Sequence, residues 1–162
     1  LLIRLLVSLL YQHITLYPDS LDYISLAERL SNLNLNGYGG ERSPGYPLLI
    51  CLTGFSDILM VITQSLIGIC TLIIIYKTII ATGIKENTSL LITLLLSCYL
   101  PTVFFEVTLL TETVTLFVIS LIFFLFFKLA KDKEYPFSTF FFFFFLKKKK
   151  KKKIFFFLLF FG

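Results

Sequence analysis

The sequence predicts an all-α, polytopic membrane protein with about four transmembrane helices. Its composition is 57% hydrophobic and only 15% charged, with a mean hydropathy of +0.88, whereas a soluble domain of this length carries more charge. Long apolar runs recur at 58–81, 88–105 and 109–127, each long enough to cross a hydrocarbon core of ~30 Å. Most strongly polar side chains that precede these runs lie between Gln12 and Arg42, which makes that interval the place to look for chemistry.

Residues 1–11 are apolar but shorter than the ~20 residues a span requires, so they are expected to be the outer end of a truncated first helix. The polar interval follows. Leu21, Ile24, Leu26 and Leu30, with Tyr23 and Ala27 between them, mostly keep helical spacing, and Pro18 followed by Asp19 and Ser20 is a helix start with acid in the first turn. An amphipathic juxtamembrane helix over 19–30, lying at the membrane surface in the first outward loop, is the expectation. Asn32, Asn34, Asn36, Gly37, Gly39 and Gly40 then make a loop of turn formers.

The stretch 41–49, Glu-Arg-Ser-Pro-Gly-Tyr-Pro-Leu-Leu, reads as a stiff corner. Pro44 and Pro47 bias Ser43 and Tyr46 toward extended backbone, and Gly45 between them has dihedral freedom. A short helix over 48–52 is expected to end near Gly54. The second span is 58–81, with Gln64 inside it and Lys77 near its end; 82–87 is a polar turn; the third span is 88–105, with Pro101 near its end, and the fourth is 109–127.

Residues 1–136 are read as one transmembrane domain. Residues 137–162 are a low-complexity tail of phenylalanine and lysine runs, expected not to be native protein and set aside from the functional reading. Seven of the 15 basic residues lie in that tail at 147–153, so the net charge of +5 does not imply a nucleic-acid partner. Cys51, Cys70 and Cys98 sit in apolar sequence without metal-ligand spacing, which implies neither a disulfide nor a metal site.

Lysines set the orientation. Lys77 and Lys85 flank one turn and Lys128, Lys131 and Lys133 follow the last span, so these regions are cytoplasmic and the Gln12 to Gly54 region faces outward. Asp19 with Asp22, Glu41, and Glu106 with Glu112 then converge on the outer face. Asp19 and Asp22 are three apart and share a helix face, so one can act as general base while the other orients it; solvated carboxylates at a helix start are the alternative. Glu106 and Glu112 lie between apolar runs, where charge is costly unless used or hydrated; a loop that simply surfaces there would leave both solvated. Arg42 suits a phosphate or carboxylate partner.

The ordered pieces Asp19-Ser20-x-x-Tyr23-x-x-Leu26-Ala27-x-x-Leu30, Arg42-Ser43-Pro44-Gly45-Tyr46-Pro47-Leu48-Leu49 and Leu109-Leu110-Thr111-Glu112 together resemble the N-terminal part of the GT-C membrane glycosyltransferases. They are most similar to family 39-like enzymes, the bacterial relatives of protein O-mannosyltransferases and of lipid A aminoarabinose transferases. The resemblance implies an enzyme that moves a sugar from a polyprenyl-phosphate donor to a glycan, lipid or protein acceptor outside a bacterial plasma membrane. It implies Asp19 as general base and Arg42 at the lipid phosphate, with Asp22 beside them. Tyr23 and Tyr46 would line the sugar or lipid pocket, packing of both helices being the alternative, and Glu112 would support the site. No cofactor is implied, and a divalent metal is not indicated. Complete members have many more spans, so an N-terminal fragment that is inactive alone is expected. Some relatives have a second acid where this chain has Ser20, which leaves open whether Asp22 substitutes for it. Alternatives from other classes are part of a transporter or flippase for a lipid-linked substrate, with Thr63 and Gln64 as its weak polar candidates, and an inactive membrane fragment.

Overall fold

The computed structural model describes residues 4, 6, 7, 10, 13–34, 38–40 and 42–131. Among them the chain is all-helical: α1 is Pro18–Ser31, α2 Gly45–Leu52, α3 Asp57–Ala81, α4 Glu86–Ser97, α5 Leu100–Glu106 and α6 Glu112–Lys131. The expectations for Glu41 and for the 137–162 tail lie outside the described residues.

Helix α1 forms where its apolar spacing predicts. Its start is organised by Ser20, whose Oγ accepts the Tyr17 backbone N–H at 2.9 Å, satisfying a donor that the first turn leaves without a helical partner. Tyr23, Leu26 and Ala27 are buried on its inner face. Asp19, Asp22 and Arg29 remain exposed on the other.

The corner at 42–47 differs from its sequence reading. Helix α2 begins at Gly45, three residues earlier than expected, so Tyr46 is helical rather than extended and Gly45 needs no left-handed conformation. Pro47 is tolerated because it occupies the first turn, where its missing N–H would have no helical acceptor anyway. Pro44 already has helical dihedrals (φ −78°, ψ −9°), and its carbonyl accepts Leu48 N–H at 3.0 Å. Leaving α2, Gly54 (φ 60°) and Phe55 (φ 59°) both adopt the left-handed conformation, which turns the chain sharply into α3. That geometry costs Gly54 little and Phe55 more.

Helix α3 is the backbone of the assembly. It packs most extensively on α6 and also meets α4 and α5, while α1 packs on α2. Ile14, Tyr23, Tyr46, Ile50, Met60, Val107 and Val114 form a common core at one end of the α3–α6 pair.

The single third span read from the sequence is broken: α4 and α5 are bent by 60° across Cys98 and Tyr99. Pro101 explains the break, since it lacks the N–H that would continue the helix but fits the first turn of a new one. Helix α6, the fourth span of the sequence reading, starts at Glu112, not 109, because Leu109 is drawn out of it. Leu109 N–H bonds to Thr15 O at 3.0 Å and Thr15 N–H to Val107 O at 2.9 Å. This short parallel bridge between Thr15 and Thr108 fastens the segment before α1 to the α5–α6 connection. Among the described residues, α3 alone is long and apolar enough to cross a membrane, and the bent α4–α5 pair meets the same test only when taken together.

Candidate functional site

The 3.6-residue repeat of α1 puts Asp19 and Asp22 on one exposed edge, and the chain leading into α2 brings Arg42 against it. Arg42 Nη2 donates to Asp19 Oδ1 at 2.6 Å and to Asp22 Oδ2 at 3.0 Å. Its guanidinium also lies over the Tyr23 ring, with Cζ 5.3 Å from the centroid, where the negative ring face attracts a cation. The carboxylates of Asp22 and Asp19 hold the guanidinium proton more tightly than in free arginine. Both acids are more than half exposed and Arg42 is a third exposed, so water screens these pairs and they fix geometry more than they stabilise the fold. Tyr38 closes the far side by donating its hydroxyl to the Arg42 backbone carbonyl.

Below this polar edge the two tyrosines meet edge to face, centroids 5.2 Å apart. Tyr23 is buried in the core. Tyr46 is wholly buried, and Gln64 Nε2 donates to its oxygen at 2.5 Å. Burial raises the Tyr46 phenol above its ordinary titration range, with Gln64 opposing and the charge of nearby Glu112 adding to the rise. Glu112 opens α6 and is half-buried, and its Oε2 is enclosed without a hydrogen-bond partner. Tyr46 also forms one wall of an apolar groove of about 160 Å³, completed by Leu49, Ile67, Val114, Phe117 and Leu121.

The six residues that the resemblance assigns to the site, Asp19, Asp22, Tyr23, Arg42, Tyr46 and Glu112, therefore lie around the junction of α1, α2 and the start of α6. Asp19, Asp22, Tyr23 and Arg42 are in direct contact, Tyr46 touches Tyr23, and Glu112 reaches the group electrostatically through Tyr46. Glu106 takes a different part. It is 2% exposed rather than solvated, and it pairs with the equally buried Arg4. Arg4 Nη2 also donates to Thr102 Oγ1 at 3.3 Å. This buried pair lies against Gly68 of α3, where any Cβ would collide with both side chains.

Sequence reasoning passed over three residues that shape the site. Ser20 is fully buried and donates to Leu109 O at 2.7 Å, tying α1 to the α6 entrance; its place beside Asp19 was the available signal. Gln64 was noticed as an amide inside an apolar run and as a weak polar candidate for a transport site, yet it is the partner of Tyr46. Arg29, seven residues after Asp22 and thus on the same face, lines a polar cleft of about 250 Å³ with Asp22, Ser25, Tyr38, Gly39 and Arg42. Cys51, Cys70 and Cys98 are free thiols, and among the described residues no three His, Cys, Asp or Glu side chains are grouped as a metal site would need. No protein-family model, curated protein or solved structure matches the chain.

Proposed function

We propose that the chain is the N-terminal part of a multi-pass membrane glycosyltransferase that uses a polyprenyl-phosphate sugar, with its reactive loop on the outer face of a bacterial plasma membrane. The observation that carries this reading is the cluster of Asp19, Asp22 and Arg42 above an apolar groove walled by Tyr46. A charged edge beside a lipid-compatible groove is what a donor with a phosphate head and an isoprenoid tail requires. Asp19 accepts the proton of the acceptor hydroxyl or amine as that group attacks the anomeric carbon, Arg42 stabilises the charge that builds on the departing lipid phosphate, and Asp22 and Glu112 support them. The exposed face of α3, with Ile58, Leu59, Ile62, Leu66 and Ile73, suits lipid contact.

The test is transfer from a polyprenyl-phosphate sugar by the full-length parent in membranes, comparing Asp19→Asn with the unaltered protein. Loss of transfer with normal insertion supports the base role, and unchanged transfer removes it. A second reading, part of a transporter for a lipid-linked substrate, draws on the 60° break between α4 and α5, since discontinuous helices form many transport sites. Sugar-independent movement of the lipid across vesicles would favour it.

A further inference from the structure

We propose that the carboxyl ends of α3 and α6 form a site for the headgroup of an anionic phospholipid in the inner leaflet, with Lys77 and Lys128 on its phosphate and an acyl chain in the furrow between the two helices. The inference rests on α3 and α6 crossing a membrane with their lysine ends inward, and not on the sugar-transfer chemistry assigned to the opposite end.

The two helices run parallel and in register. Met60 of α3 shares the core with Val114 of α6, and two turns further along both helices Ile67 and Leu121 line the same apolar groove. A step of seven residues returns to nearly the same helix face. The next such step leads to Ile74 on α3 and to Lys128 on α6, so a furrow that is apolar at Ile67 and Leu121 ends at an ammonium group. Lys77 is about one turn beyond Ile74, and Lys131 holds the matching position of α6.

At about 1.5 Å per residue, Lys77 lies about 30 Å along α3 from Asp57, the thickness of a hydrocarbon core. Lys77 therefore stands at the inner edge of the apolar layer, and Lys128, about one turn short of that level, reaches it by extending its side chain. Lys77, Lys85 and Lys128 are exposed, and none of them forms an ion pair among the described residues. Glu86, the one described acid at this end, accepts the Tyr76 hydroxyl at 3.0 Å and offsets a single charge of the group. A basic residue can also serve a helix by offsetting its dipole, but that effect reaches about one turn, and the last turn of α3 contains no basic residue. Lys77 is thus placed for something other than its own helix end.

A free phosphate has no use for the furrow, and an apolar chain has none for the lysines. An amphiphile with both parts fits both. A zwitterionic headgroup carries its own cation, which two ammonium groups repel, whereas a phosphodiester headgroup without an amine keeps its full charge for them.

The experiment uses the full chain in phosphatidylcholine nanodiscs doped with phosphatidylglycerol, and native mass spectrometry identifies the lipids that stay on the released protein. Retention of phosphatidylglycerol over phosphatidylcholine is expected. Lys77→Gln and Lys128→Gln should each lower that preference about fivefold, the weight of one lysine at an anionic surface. The double change to Gln should remove most of it, and the double change to Arg should keep it. Both side chains are exposed, so these variants leave the α3–α6 packing in place. Replacing Lys147 to Lys153 with Gln should leave the preference intact. Equal retention of the two lipids, a preference that survives the double change to Gln, or one that disappears when Lys147 to Lys153 alone are replaced overturns the site. The readout is lipid retention, so the site stands or falls whatever Asp19→Asn does to sugar transfer.

Discussion

Gln64, in the interior of the longest apolar helix, donates to the buried phenol oxygen of Tyr46 at 2.5 Å, so the one amide of α3 is consumed in holding α2 in place. Removing one partner leaves the other enclosed without a bond, whereas removing both does not. Tyr46→Phe is expected to lower stability by about 1–3 kcal/mol. The double change Tyr46→Phe with Gln64→Leu should cost less than the sum of the singles, measured by denaturant unfolding in micelles. Additive losses would mean that the bond contributes nothing specific.

The same phenol should make stability sensitive to alkali. Its folded titration point lies above the ordinary value of 10.0, so the stabilising contribution of the neutral ring is complete below pH 10.0 and is lost as pH rises toward the folded value. Within that window the protein should lose about 1.4 kcal/mol per pH unit through this group. Unfolding curves of Tyr46→Phe collected above pH 10.0 should have a correspondingly shallower slope, and an identical slope would refute the assignment.

Arg4 and Glu106 form the deeper polar contact, each 3% exposed at the side chain. Glu106→Gln leaves a buried guanidinium without its carboxylate and should cost about 3–5 kcal/mol. Replacing both partners with apolar residues should recover much of that loss. Gly68→Ala should destabilise by about 1–3 kcal/mol, since its methyl group would enter the space held by the pair. Thermal unfolding in detergent of the three variants checks the ranking.

Ser20→Ala removes both the Tyr17 bond and the bond to Leu109 O. A loss of about 1–2 kcal/mol is expected, with faster amide exchange at Thr15 and Leu109, whose bridge it supports. Faster exchange confined to the first turn of α1 would show that the link to Leu109 is idle.

The sequence made some of this visible and hid the rest for physical reasons. Helix α1 was legible because Pro18 and the spacing of Leu21, Ile24 and Leu26 are local signals, and α3 because twenty-five residues with few polar side chains leave one reading. The break at Cys98–Tyr99 was obscured because apolar residues continue through it, leaving only Pro101 as a hint. The grouping of Asp19 with Arg42 could be anticipated as shared sidedness, but their ion pair depends on how α1 meets α2. Arg4 with Glu106 had no local signature, because packing brings together residues from opposite ends of the described chain.

The bridge between Thr15 and Thr108 also imposes a timetable on biogenesis. Ser20 and Leu109, joined just beside it, are separated by 89 positions, so during synthesis α1 must wait outside its final seat until the α5–α6 connection has emerged. Until then its apolar face is covered by α2 alone, and the rest of its seat is still missing. Slowing translation after α4 should therefore prolong the exposure of α1 to proteases, making it among the last helices to become protected.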